Sequence, residues 1–259
     1  MVNKDSVRGT LLVALVMCLV CSVVVATAAV LLRPAQQANV ELDRKRNVLV
    51  AGGLVESGAS AKEVNEAFQT VTTRYVDLTT GKFTEEMPAG GSGRAASRIK
   101  GAHERLARSD DIAKIFRREN VSEVYLVEEN GKLNRLILPV RGSGLWGTLF
   151  GFLALESDLN TVAGLAFYEH RETPGLGGEV DNPNWKALWH GRKVFDADGD
   201  VAISVVKGSV DPNSPQAIHQ VDGLSGATLT SNGVENLLRF WLGAKGFGPF
   251  LKNLKAGEA

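Results

Sequence analysis

The chain is poor in cysteine, in histidine and in net charge. Its 259 residues include two cysteines, Cys18 and Cys21, both inside an apolar run. The remainder therefore needs no disulfide and is indifferent to an oxidising compartment. The chain also cannot complete a four-thiolate metal site from its own residues. The four histidines, His103, His170, His190 and His219, are too far apart for a metal motif such as His-x-x-x-His. His170 and His190 read as polar or packing residues. With 29 basic and 29 acidic residues the formal charge is zero. No basic block with interleaved aromatics occurs, which argues against nucleic acid as a partner. There is no Gly-x-Ser-x-Gly elbow, no P-loop and no Rossmann glycine pattern after a first strand, so nicotinamide binding by this chain is not expected.

What is present begins with Thr10 to Leu32, 23 apolar or small residues without a charge. About 20 such residues span a bilayer core as a helix. A cleaved signal peptide is the competing reading, with Lys4 and Arg8 as its basic start and Ala26-Thr27-Ala28 as a cleavage site. The run continues through Val30, Leu31 and Leu32, which favours a retained anchor over 10–32. Cys18 and Cys21 share a helical face at Cys-x-x-Cys spacing, a spacing open to a metal, a redox pair or plain apolar packing. Gly9, Ala14, Ser22 and Ala26 offer small surfaces for helix contacts. Arg33, Arg44, Lys45 and Arg46 outnumber Lys4 and Arg8, so the charge rule points the C-terminal side toward the cytoplasm. The short N-terminus, residues 1–9, argues for the opposite orientation.

Residues 33–120 read as a juxtamembrane and helical linker region. Gln36 to Arg46 is polar and suits continuation of the anchor helix. Ser60-x-x-Glu63 forms a capping box opening a helix with Val64, Ala67, Phe68 and Val71 on one face. Met87 to Gly101 reads as surface loop. From residue 121 to 259 the pattern is a separate domain. Val121–Val127 and Leu133–Val140 flank a Glu-Asn-Gly-Lys turn, a strong hairpin signal. Leu145–Leu155, Thr161–Tyr168 and Val201–Val206 are further strands. Asn184–His190 is a short helix, Asp198-Gly199-Asp200 a turn, and a Gly- and Lys-rich tail closes the chain. The fold class is α+β, a mostly antiparallel sheet with flanking helices behind one transmembrane helix.

Asp222-Gly223-Leu224-Ser225-Gly226-Ala227-Thr228 precedes an amphipathic helix with Val234, Leu237, Leu238 and Trp241 at i, i+3, i+4 and i+7. Thr230 or Ser231 is the expected N-cap. A Gly-containing turn at a helix N-terminus favours an anion, although a Ser/Thr cap without a ligand has the same composition. Two more glycine-marked segments lie upstream: Gly142-Ser143-Gly144-Leu145-Trp146-Gly147 and Glu172-Thr173-Pro174-Gly175-Leu176-Gly177-Gly178. Each alone fits a structural turn.

Together, and in this order, the three segments resemble the FMN-binding domain family. Over its whole length the chain is most similar to the branch of that family found as C subunits of sodium-translocating NADH:quinone oxidoreductases. The Rnf ferredoxin:NAD complex supplies a related branch. The resemblance implies FMN joined by a phosphoester to Thr228, with Ser225 and Thr230 as competing hydroxyls. It places Ser225, Gly226, Ala227 and Asp222 around the attachment point, with Asp222 serving recognition by a flavin-attaching transferase. By the same analogy Glu172, Thr173 and Leu176 line the flavin, and Leu145 and Trp146 cover or support one face. Lys207, ending a strand shortly before the motif, is a candidate positive partner for the phosphate or the reduced flavin, or else a solvated surface lysine. The implied protein is an electron carrier in the bacterial inner membrane, single-pass with its main domain periplasmic. It works with other subunits that oxidise NADH, reduce ubiquinone and export sodium, and is not catalytically complete alone. A rival outside redox chemistry is a tethered anion-binding module.

Overall fold

The computed structural model describes residues 6–259, so residues 1–5 of the expected N-terminal segment 1–9 lie outside the described residues. The chain divides into two units, Met1–Asp43 and Arg44–Ala259. A single helix, α1 (Val7–Ala51), runs through the division and includes Pro34. Its apolar stretch has a mean hydropathy of 2.8 over 18 residues, and none of that stretch is buried. Cys18 and Cys21 are both free and exposed. The Ser22 hydroxyl donates to the Cys18 carbonyl at 2.6 Å, which satisfies it within the helix. Such a helix is compatible with a bilayer, where every backbone polar group must be paired internally.

In the second unit, α2 (Ala61–Phe68) opens on the expected capping box, with Ser60 and Glu63 each accepting from the other's backbone N–H. The helix stops at Phe68. Val71, expected on its apolar face, instead starts β1 (Val71–Asp77), followed by β2 (Lys82–Thr84). The β-branched run Thr70-Val71-Thr72-Thr73 resists helical χ1 crowding and overrides the coincidence of spacing. Residues 33–120 thus supply two strands of the main sheet rather than a purely helical linker. The 87–101 segment is also more ordered than a surface loop, with α3 (Gly93–Ala96) capped by Ser92. Two short strands, β3 (His103–Arg105) and β4 (Arg117–Glu119), pair antiparallel.

The Asn-Gly signal is realised: β5 (Val121–Glu129) and β6 (Lys132–Ser143) are joined through Asn130 and Gly131, both at positive φ (52° and 73°). Then come β7 (Thr148–Glu156) and β8 (Val162–Glu169). The resulting six-stranded antiparallel sheet has the order β2-β1-β5-β6-β7-β8. Next are α4 (Pro183–Ala187), β9 (Ser204–Val206), β10 (Gln220–Asp222) and α5 (Thr228–Leu242). β9 and β10 form a small parallel pair. The tail contains one more helix, α6 (Gly248–Ala256), where the sequence suggests only a Gly- and Lys-rich end. Phe247, Phe250 and Leu251 are buried beside Trp241, so the Gly/Lys composition hides an apolar face.

The sheet is covered on both faces. Leu136, Leu138 and Val140 of β6 face the core shared with Val234, Leu237, Leu238 and Trp241 of α5. Ile137, between them, faces the end of α1 near Gly52. A side chain at Gly164 would collide with the Ala51 carbonyl, so this glycine lets the last turn of α1 lie against β8. Two ion pairs with buried carboxylates tie the sheet to the segments around it. Glu123 accepts from Arg44 and from the Gly93 N–H (2.8 Å). Arg141 is bidentate to Glu119, one bond measuring 2.9 Å, and its carbonyl accepts from the Trp241 indole at 2.8 Å. Replacing Glu119 with Ala strands a buried guanidinium, and loss of one partner of such a pair costs about 3–5 kcal/mol. The expected result is a large drop in thermal unfolding temperature. A near-wild-type melting curve would show that Arg141 finds other compensation.

Candidate functional site

The turn Asp222–Thr228 is built from both ends. Leu224 N–H donates to the Ser231 hydroxyl at 3.0 Å, and Ala227 N–H donates to the Leu224 carbonyl at 3.1 Å. Gly226 takes a φ of 72°, a left-handed conformation that glycine adopts without a steric penalty. These bonds start the helix at Thr228, earlier than the sequence suggests. Neither Thr230 nor Ser231 is the N-cap. The cap position is Ala227, and α5 begins with no side-chain cap. The N–H groups of its first turn are therefore open to an anion, with the positive end of a 15-residue helix behind them.

The hydroxyls of this stretch divide sharply. Thr230 is fully buried and donates to Glu172 Oε2 at 2.5 Å. Ser231 is buried and occupied by Leu224. Ser225 and Thr228 are exposed, and Thr228 stands at the first helical position.

Glu172 joins the three glycine-marked segments. It is only 5% exposed. Its Oε1 accepts from the Trp146 N–H at 3.0 Å, in the turn between β6 and β7, while its Oε2 holds Thr230 in α5. A side chain at Gly144 or Gly177 would strike the Glu172 carboxylate, and one at Gly233 would strike the Ser143 carbonyl. These glycines allow loop, turn and helix to close around one carboxylate. His170 orients the loop: its Nδ1 accepts from the Glu172 N–H at 3.2 Å, which leaves Nε2–H to donate to Asp181 at 2.8 Å. Asp181 gives no sequence signal, because the pairing depends on the turn at Gly175 (φ 75°).

Around Thr228 lies an exposed apolar rim. Leu145, Trp146, Leu176 and Leu229 are 45–66% exposed. The Leu176 side chain stands over Gly226. Leu229 is not among the candidates drawn from the sequence. It follows Thr228 and falls off the apolar stripe of α5, which is the signal that points to it. Contiguous exposed apolar side chains at a turn mark a ligand surface. Thr173 is exposed, and its carbonyl accepts from the N–H groups of Leu176 (3.1 Å) and Gly178 (2.9 Å), so it shapes the loop.

Support comes from below. The Trp185 indole donates to the Asp222 carbonyl at 2.8 Å, and the Asp222 carboxylate accepts from Val210 N–H at 2.8 Å. Gly223 N–H donates to the Gly208 carbonyl at 2.9 Å, which brings exposed Lys207 to the base of the Asp222–Thr228 turn. Among the described residues no group of His, Cys, Asp and Glu is arranged to hold a metal ion.

The family described as "FMN-binding domain" matches residues 144–243, from the turn that Glu172 holds to the end of α5. Fold and site thus define a flavin-binding domain behind a long apolar N-terminal helix, compatible with a single-pass membrane anchor. The C subunit of the Na(+)-translocating NADH-quinone reductase of Pseudomonas aeruginosa is 58% identical over the full length of both chains. The C subunit of the same reductase from Yersinia pestis is 49% identical over 98% of this chain and 96% of its own. The crystal structure of Shewanella oneidensis NqrC superposes with a TM-score of 0.74 at 37% identity, covering 83% of this chain and 97% of that one. The chain belongs to the family of C subunits of the Na(+)-translocating NADH-quinone reductase, a multi-subunit complex.

Glu172→Ala removes the acceptor of the Thr230 hydroxyl and the Trp146 N–H. Leaving such donors unsatisfied costs about 1–3 kcal/mol. The expected outcome is a lowered unfolding midpoint together with faster amide exchange at Trp146. Unchanged exchange would mean that the turn is held without Glu172.

Proposed function

We propose that this chain carries FMN as a phosphoester on Thr228 and relays electrons between partner redox centres of the complex. That relay would lie on the route from NADH to ubiquinone, in a process coupled to sodium export. The observation that carries this reading is the sorting of hydroxyls at the head of α5. Thr228 is exposed at an uncapped helix N-terminus, while Thr230 and Ser231 are turned inward and bonded. The residues fit the cofactor: open N–H groups for a phosphate, a glycine at φ 72° for close approach, and an apolar rim for a flat ring.

When bound, FMN supplies a ring that accepts and releases electrons. The chain's own residues hold and shield it. The first turn of α5 stabilises the remaining phosphate charge. Leu176 and Leu229 would shield a bound ring from water, and Leu145 and Trp146 would cover or support one of its faces. Glu172 fixes the distance between these parts without being spent on the ligand, since both of its oxygens are engaged within the chain. Thr173 shapes the lining loop. Lys207 supplies positive charge from the base of the turn. Asp222, with one oxygen on Val210, serves the flavin-attaching transferase as a recognition group. The anchor passes once through the bacterial inner membrane with the flavin domain on the periplasmic side, and NADH is oxidised on another subunit.

Thr228→Val keeps the side-chain shape and removes the acceptor oxygen. Coexpressed with the attaching transferase, this variant is expected to lose the FMN mass addition and the fluorescent band on a denaturing gel. Retention of the band would move the linkage to Ser225, the other exposed hydroxyl of the turn. Lys207→Ala removes a positive charge and should lower the flavin's reduction potential. An unchanged redox titration would return Lys207 to plain solvation.

A further inference from the structure

A concave surface lies beside the turn that carries Leu145 and Trp146. A cleft of about 490 Å³ is lined by six positive side chains, Arg94, Arg98, Arg105, Lys114, Arg117 and Arg141, and by no carboxylate. Two of the six are committed. Arg141 is paired with Glu119, and Arg94 with Glu169 while stacking on the Phe150 ring at 3.9 Å. Bonding by Arg94 holds the Glu169 carboxyl below the usual carboxylate range, against the opposing effect of its partial burial, so that pair stays ionised. Arg98, Arg105, Lys114 and Arg117 are exposed and make no ion pair among the described residues. In a chain of zero net charge, four unpaired cations facing one cleft repel one another, and an anionic occupant relieves that repulsion.

Two further features describe the occupant. Phe116 at the cleft wall is 72% exposed. It is held there by the Asp111 carboxylate, which accepts from the N–H groups of Ile115 (2.8 Å) and Phe116 (2.7 Å). A small anion satisfies the cations and leaves this ring in water. A polypeptide bearing both acidic and apolar side chains covers both. The cleft also adjoins the flavin turn. Thr148 lines it, and Thr148 is paired with Ser143 across the base of the turn that carries Leu145 and Trp146. The Ala113 carbonyl accepts from the Ser143 N–H at 2.8 Å, tying the cleft wall to that turn.

We propose that this cleft docks an acidic segment of a redox partner protein of the complex, one with several Asp or Glu side chains beside an apolar residue. The proposal rests on the electron-carrier reading. A partner whose redox centre gives an electron to the flavin, or takes one from it, has to come close to the rim formed by Leu145 and Trp146, and the cleft lies next to that rim. Charge complementarity there steers the approach and sets its orientation more than its strength.

The test uses the assembled complex with R98Q/R105Q/R117Q in this chain, three exposed positions. Flavin reduction after NADH addition is followed by stopped flow at low salt and at about 1 M salt, where the screening length is about 3 Å. The expected result is a roughly tenfold slower phase for this flavin at low salt. At high salt the wild type should slow until the two rates converge. The lysine version, R98K/R105K/R117K, should restore the low-salt rate. Equal rates for wild type and the glutamine variant at both salt levels would overturn the proposal. So would a defect present in nanodiscs containing phosphatidylglycerol and absent in pure phosphatidylcholine, which would assign the cleft to a lipid headgroup. Denaturing-gel flavin fluorescence is scored on the same samples. A wild type without the band fails the electron-carrier reading, whereas a normal band with unaltered kinetics fails only the docking site.

Discussion

The carboxylate of Glu172 links segments that lie 26 and 58 residues away in the chain: the Trp146 turn and the first turn of α5. It does so almost without water, and a buried charge survives only when its oxygens are hydrogen-bonded. Both are. The geometry of the exposed apolar rim follows from this. Leu145 and Trp146 are carried by one arm of the junction, Leu176 by the loop that bears Glu172, and Leu229 by the helix that Thr230 anchors. Gly144, Gly177 and Gly233 are the space left for the carboxylate and for the close approach of α5 to β6. The rest of the unit acts as scaffold for this junction, with the sheet fixing the turn and α4 fixing Asp222 beneath it.

The scaffold owes its rigidity to burial on both faces of an antiparallel sheet. Such sheets commonly leave one face to solvent. Here the end of α1 and α2 cover one side, and α5 covers the other. Leu229 projects from a helix packed on the core, and the turn and loop that carry Leu145, Trp146 and Leu176 are tied to it through Glu172.

Much of this is legible in the sequence because local rules and tertiary structure agree. Asn130-Gly131 demands a hairpin and makes one. The apolar run 10–32, 23 uncharged residues, forms an exposed apolar helix as its composition suggests. Ser225-Gly226-Ala227-Thr228 sits at a helix start as its glycine and hydroxyls suggest. The failures have physical causes of equal clarity. Val71 keeps helical spacing with Phe68 while belonging to a β-branched run, and the pairing of β1 with β5 decides between them. The start of α5 reads late because Thr230 and Ser231 look like caps. Their hydroxyls are drawn instead to Glu172 and to the Leu224 N–H, long-range and loop partners that no window reveals. The helix α6 is hidden by glycine and lysine, although Phe247, Phe250 and Leu251 carry its packing. Asp181 and the unpaired cations of the cleft depend on distances that sequence does not hold.

The division of hydroxyls at the head of α5 also bears on the order of events in biogenesis. In an unfolded chain Ser225, Thr228, Thr230 and Ser231 are four alcohols close together, chemically alike and equally accessible. Folding withdraws two of them into bonds and leaves one on a helix terminus suited to phosphate. On the proposed Thr228 linkage, an enzyme acting on the finished domain would inherit a choice already narrowed to the two exposed hydroxyls, Ser225 and Thr228, whereas one acting on the nascent chain would have to make it unaided. The fold would then serve as proofreader, with fidelity greatest when modification comes last.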